Sequence, residues 1–132
     1  MAQLKMTAAE MVADARSQIV EIETADLLAR LGEEGLVIVD IRDPRERERD
    51  GWIPGSVHAP RGMLEFWVDP DSPYHKPIFS AADKSFVFHC ASGWRSALST
   101  LTLQEMGFEA AHLREGFKGW VAAGGPVETK TD

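Results

Sequence analysis

The chain has 132 residues, 44% of them hydrophobic and 27% charged, which suits one globular domain with its own core and leaves little room for two. A net charge of -7 disfavours nucleic acid and anionic lipid, since both select basic surfaces. The single cysteine excludes an intramolecular disulfide, and no apolar run approaches the roughly 20 residues that span a bilayer. Glu10 and Asp14 interrupt the N-terminal stretch, which lacks the apolar core of a secretory signal. The expectation is a soluble, cytoplasmic protein without nucleic-acid or membrane partners.

In chain order, Ala8, Met11, Val12, Ala15 and Ile19 recur at helical spacing, and Thr7 with Glu10 reads as a capping box. This first helix either packs on the domain or serves a partner, and packing is the simpler reading. Ile19–Ile22 reads as a short strand. Thr24 reads as the N-cap of a helix over Ala25–Leu31, ended by Gly32 or Gly35. Leu36–Val39 is a short, β-branched apolar run, expected as a strand buried on both faces. Asp43, Pro44 and Glu46 open another helix as cap, first and third residues. Ile53-Pro54-Gly55 is turn chemistry before an extended piece over Ser56–Ala59. Met63–Val68 predicts one or two helical turns, and Asp69–Pro77 a proline-rich surface loop. Ser85–His89 is a second buried strand, Ser96–Met106 a helix stopped by Gly107, Glu109–Leu113 a strand, and Phe117–Ala123 the last helix. Strands alternating with helices predict an α/β sandwich on a mostly parallel sheet.

The informative stretch is His89-Cys90-Ala91-Ser92-Gly93-Trp94-Arg95-Ser96. It places the thiol just beyond the carboxyl end of a buried strand, where parallel α/β sheets hold their ligands. A helix start and a cation both lower a thiol pKa. Gly93 lets the loop curl around an anion, and Arg95 adds a permanent charge with a forked donor. Taken alone, a lone Cys is more often a small buried hydrophobe; a glycine turn and an arginine at a helix start reverse that prior. Metal binding is not expected, because one Cys and scattered His residues lack ligand spacing.

Cys90-Ala91-Ser92-Gly93-Trp94-Arg95 resembles the Cys-x-x-Gly-x-Arg loop of the rhodanese (thiosulfate sulfurtransferase) family. Val39-Asp40-Ile41-Arg42 resembles that family's Asp-x-Arg signature, Gly51 to Pro60 its Gly-His-Ile-Pro-Gly-Ala segment, and Glu115 to Trp120 its Gly-Gly-x-x-x-Trp element. Four motifs in the right order are specific where one is weak. Trp52 and Phe117 depart from the usual His and Trp, at positions that read as packing sites. The resemblance implies a rhodanese-like three-layer sandwich over residues 19–128, with 1–18 as an N-terminal helical extension and 129–132 as a tail. It also implies transfer of a sulfane sulfur from a donor such as thiosulfate to cyanide or a thiol, small or protein-borne, through a persulfide on Cys90 and without a cofactor. Ala91, Ser92, Gly93, Trp94 and Arg95 are the expected substrate-binding residues, with Asp40, Arg42 and Ser96 in support. Asp40 is expected to tie the active loop, and Arg42 to pair with Glu46. Two alternatives are a related Cys-dependent phosphatase or arsenate reductase and a non-catalytic rhodanese-like binding module.

Overall fold

The computed structural model describes residues 3–130. Five strands, β1 (Val20–Ile22), β2 (Leu36–Asp40), β3 (Val57–His58), β4 (Ser85–His89) and β5 (Ala111–Leu113), form one sheet in the order β1-β5-β4-β2-β3. Every ladder in it is parallel, and the one antiparallel pairing among the described residues is an isolated bridge between Trp52 and Glu128.

Continuous apolar runs arise where both sheet faces are covered. On one face Val37, Val39, Phe86, Phe88 and Cys90 join Leu64, Val68, Phe79 and Leu103, from α4 (Leu64–Val68), the segment after it and α5 (Trp94–Glu105). On the other, Ile38, Val87 and Leu113 meet Leu27 of α2 (Thr24–Arg30) and Phe117 and Trp120 of α6 (Gly116–Ala122). The period of two along β2 and β4 thus feeds alternate residues to two cores.

Helix α1 (Ala8–Arg16) begins at Thr7 with the capping box in place, and its Val12 and Ala15 pack on Ala97 of α5. Helix α3 (Pro44–Asp50) likewise starts at Asp43 with a capping box to Glu46. The cap of α2 differs from expectation. Glu23 occupies that position without a side-chain bond, Thr24 is the first helical residue, and its hydroxyl is buried without a partner. A short 3-10 turn, Arg61–Met63, precedes α4, and a second, Pro77–Ser80, closes the proline-rich loop. No helix among the described residues is long and apolar enough to cross a membrane.

Candidate active site

Cys90 follows β4, the central strand, and is 1% exposed. Its sulfur accepts hydrogen bonds from the backbone N–H of Gly93 at 3.1 Å and of Ser96 at 3.4 Å, and lies 3.5 Å from the Ser96 hydroxyl. Burial pushes the thiol pKa up. The Ser96 hydroxyl and the amides of Ser96, Ser92 and Gly93 together outweigh it and hold the pKa below the ordinary thiol value. The arrangement is a small concave array of fixed donors around one polarisable anion, the kind of preorganised dipole that stabilises charge without rearrangement.

The loop keeps this shape because both of its sides are tied to backbone. Gly93 takes φ 91°, in the left-handed region, and a Cβ there would lie 2.2 Å from the Arg114 carbonyl oxygen. Gly116, at φ 66°, packs against the backbone of Cys90 and Ala91; a Cβ would approach the Ala91 carbonyl to 2.6 Å. That contact lets the start of α6 reach the loop, where the Phe117 N–H donates to the Cys90 carbonyl at 2.8 Å and the Lys118 N–H to that of Ala91 at 3.0 Å. Only glycine allows either approach. Of the remaining loop residues, Ser92 and Trp94 are exposed, and Ala91 is half-buried.

The charged neighbours differ in part from expectation. Arg95, not Arg42, binds Glu46, through two bonds of 2.8 and 3.0 Å. Arg42 is buried and instead forks onto Asp40, with contacts of 2.8 to 3.2 Å, while donating to the Gly51 carbonyl at 2.8 Å. Asp40 does not reach the active loop. Its carboxylate accepts from the Arg42 backbone and from Arg47 as well, and a second buried residue, His89, sits 3.8 Å away. The physical reason is proximity: Arg42 lies two residues from Asp40 at the same strand end, whereas Glu46 faces α5. The His89 side chain lies beside Phe117, on the sheet face away from Cys90.

The partners of Ser96 come from strands far away in the sequence. The Ser96 hydroxyl lies 2.8 Å from His112 Nδ1, and His112 Nε2 lies 2.9 Å from Glu21. The register of β1 and β5 sets Glu21 opposite His112, on the face that carries Phe88 and Cys90. The signal was a polar residue at the centre of each strand, Val20-Glu21-Ile22 and Ala111-His112-Leu113. Among the described residues, no group of three or more His, Cys, Asp or Glu side chains is placed to hold a metal ion.

Fold and site thus define a single-cysteine α/β domain with an amide-lined sulfur at the end of its central strand. Residues 23–123 match the Rhodanese-like domain family, and the chain belongs to that family. It is 33% identical over 104 residues to the Bacillus subtilis protein named "Putative sulfurtransferase YtwF", covering 78% of this chain and 91% of that one. A solved structure from Rhodopseudomonas palustris, described as a protein of unknown function and "Possible Tyrosine Phosphatase", is 53% identical with a TM-score of 0.92, covering 97% of this chain and 98% of that one. A rhodanese-related protein from Thermoplasma volcanium is 26% identical with a TM-score of 0.68, over 84% of this chain and 99% of that one.

Proposed function

We propose that this protein carries a sulfane sulfur atom as a persulfide on Cys90, taking it from a donor such as thiosulfate and passing it to a thiophilic acceptor. Cyanide serves as acceptor in an assay, and a small or protein thiol in a reducing compartment such as the cytoplasm. The observation that carries the reading is the Cys90 sulfur itself, held 3.1 Å from the Gly93 amide inside the loop. In the first step the thiolate attacks the outer sulfur of thiosulfate. A new S–S bond forms on Cys90, the old S–S bond breaks, and sulfite leaves with the electron pair. In the second step the acceptor attacks the outer sulfur of the persulfide, and Cys90 leaves as thiolate.

The loop amides of Ala91, Ser92, Gly93, Trp94 and Arg95 hold the negative charge at each stage. Arg95 stands at the rim, its orientation set by Glu46, and meets the oxyanion end of the donor. Trp94, 48% exposed in the loop, offers an apolar contact to the acceptor. Asp40 and Arg42 form a buried pair that does not touch the loop, and Arg42 lies over the ring of Phe117, whose N–H donates to the Cys90 carbonyl.

The description of the Rhodopseudomonas palustris relative favours a second reading, hydrolysis of an aryl phosphate through a Cys90 phosphoenzyme. Cys-dependent tyrosine phosphatases resemble Cys-x5-Arg, whereas four residues separate Cys90 from Arg95. The shorter loop suits a single sulfur atom better than a tetrahedral phosphoryl group. The deciding experiment is the intact mass of the reduced protein before and after thiosulfate, with Cys90→Ser alongside. The expected result is a gain of one sulfur atom, removed by cyanide and absent from the variant, with aryl phosphate hydrolysis at background. A folded protein that hydrolyses aryl phosphate and gains no sulfur reverses the assignment.

A further inference from the structure

The persulfide reading needs Cys90 as a thiolate; the donors around the sulfur hold its pKa below the ordinary thiol value, but a proton leaving a site that is 1% exposed needs a path. We propose that Ser96, His112 and Glu21 form a proton relay that draws the Cys90 proton inward, with the Ser96 hydroxyl as bridge and His112, steadied by Glu21, as acceptor. The proposal rests on the persulfide reading for its purpose, and on the chain of contacts for its existence. Sulfur to hydroxyl is 3.5 Å, hydroxyl to Nδ1 2.8 Å and Nε2 to carboxylate 2.9 Å.

The direction of each bond follows from its far end. A carboxylate only accepts, so His112 Nε2 carries the hydrogen that Glu21 receives. Nδ1 of the neutral ring is then an acceptor, and the Ser96 hydroxyl donates to it. The oxygen lone pair of Ser96 is left facing the thiol, which donates in turn. The resting chain is therefore polarised from sulfur to imidazole. When the proton moves, Cys90 gives its hydrogen to Ser96 and Ser96 gives its own to Nδ1. No bond between heavy atoms changes, and the total charge is constant. Ser96 now points an O–H at the thiolate, and the imidazolium lies against the Glu21 carboxylate.

The surroundings suit an acceptor that begins neutral. Burial pushes the His112 pKa down, opposed by the hydrogen bond and charge of Glu21, with Arg16 adding a further downward push. From α1, the Arg16 side chain reaches Glu21 at 3.5 Å and donates to the Arg114 carbonyl at 3.3 Å. Arg114, the residue after β5, is paired with Glu23, and Phe88 of β4 opposite His112 is uncharged. Around the sulfur, Arg95 is the facing cation, itself bound to Glu46. His89 is buried on the other face of the sheet. Glu21 and Arg16 both precede the family-matched segment, 23–123. The relay thus joins residues inside that segment to a carboxylate and a cation that lie before it. It also gives α1 a place in the chemistry: this helix packs on α5 and delivers Arg16 to the carboxylate that ends the relay.

The test is the rate of Cys90 alkylation by iodoacetamide across pH, using the full chain. His112→Asn keeps an acceptor near Nδ1 for Ser96 but cannot take a proton at these pH values. It is expected to move the apparent thiol pKa up by about one unit, making alkylation about tenfold slower near neutral pH. Glu21→Gln retains an acceptor without charge, and is expected to give a smaller shift of the same sign. A merely structural His112 would lower the unfolding midpoint in urea and leave the alkylation profile in place. A folded His112→Asn variant whose profile superimposes on the wild type overturns the relay. If that variant does not fold, an unshifted Glu21→Gln profile overturns it equally. Alkylation needs no sulfur donor, so the two proposals fail separately. A protein that gains no sulfur but shows the shifts keeps the relay and loses the transferase reading, and the converse result does the reverse.

Discussion

Asp40 and Glu21 each anchor a polar cluster beside the active strand, on opposite faces of the sheet. Asp40 is fully buried and held by two permanent cations, Arg42 at 2.8 Å and Arg47 at 3.1 Å. Burial alone would raise its pKa, but Arg42 and His89 outweigh that and bring it down to about 2. Glu21, 21% exposed along its side chain, faces a histidine whose pKa burial pushes below the usual imidazole value. The first cluster cannot exchange a proton anywhere near neutral pH. The second holds a titratable imidazole and touches the hydroxyl beside the sulfur. A guanidinium and an imidazole, each against a carboxylate, thus divide structural from chemical work around one loop.

Asp40→Asn should break that comparison most severely. It leaves Arg42 buried with its charge partner gone, a loss of about 3–5 kcal/mol for pairs of this kind. Urea unfolding at neutral pH would register it, while the pH profile of Cys90 alkylation in the folded variant stays where it is in the wild type. A shifted profile would mean that the Asp40 cluster also tunes the thiol. The depressed pKa gives a further check. Asp40 binds its proton more readily unfolded than folded, so its contribution is present above about pH 4 and is lost as pH falls toward about 2. The gap in stability between the wild type and Asp40→Asn should narrow over that range. A gap independent of pH would contradict the assignment of charge to Asp40.

Gly93→Ala should cost less stability and more chemistry. Its φ of 91° strains any side chain, and the new Cβ would lie 2.2 Å from a backbone oxygen that has little room to yield. A loss of about 1–3 kcal/mol follows from strain of this type. Relief requires the loop to lift, which carries the Gly93 amide away from the sulfur. The thiol pKa should therefore rise and alkylation near neutral pH should slow. A variant destabilised by this amount with unchanged thiol reactivity would show that the Gly93 amide does not hold the thiolate.

Much of this organisation is legible in the sequence. The Asp43 and Thr7 capping boxes, the two-faced burial of β2 and β4, and the glycine turn after Cys90 are local, and each depends on residues a few positions apart. What stayed hidden was long-range pairing. Glu21 and His112 are 91 residues apart and meet only through the register of β1 with β5. Likewise Arg95 finds Glu46 across 49 residues, although Arg42 stands nearer to it in sequence. Periodicity shows which face a side chain takes, but not which strand lies beside it. The polar residues at the centres of β1 and β5, Glu21 half-buried and His112 buried, were the available clue, because such groups must find partners once the sheet closes.

Thr24 shows the same limit at a smaller scale and supplies the mildest test. Its place at the head of α2 suggested a cap, yet the extended residue that fills that role is Glu23, and the Thr24 hydroxyl is buried without a hydrogen bond. A buried hydroxyl that bonds to nothing costs more than a methyl in the same space. Thr24→Val is therefore expected to raise stability by up to about 1 kcal/mol, read as a higher urea midpoint with an unchanged slope. Neither cluster beside Cys90 uses Thr24, so the alkylation profile should stay fixed. A loss of stability would reveal a partner for that hydroxyl and return Thr24 to the capping role its sequence position suggests.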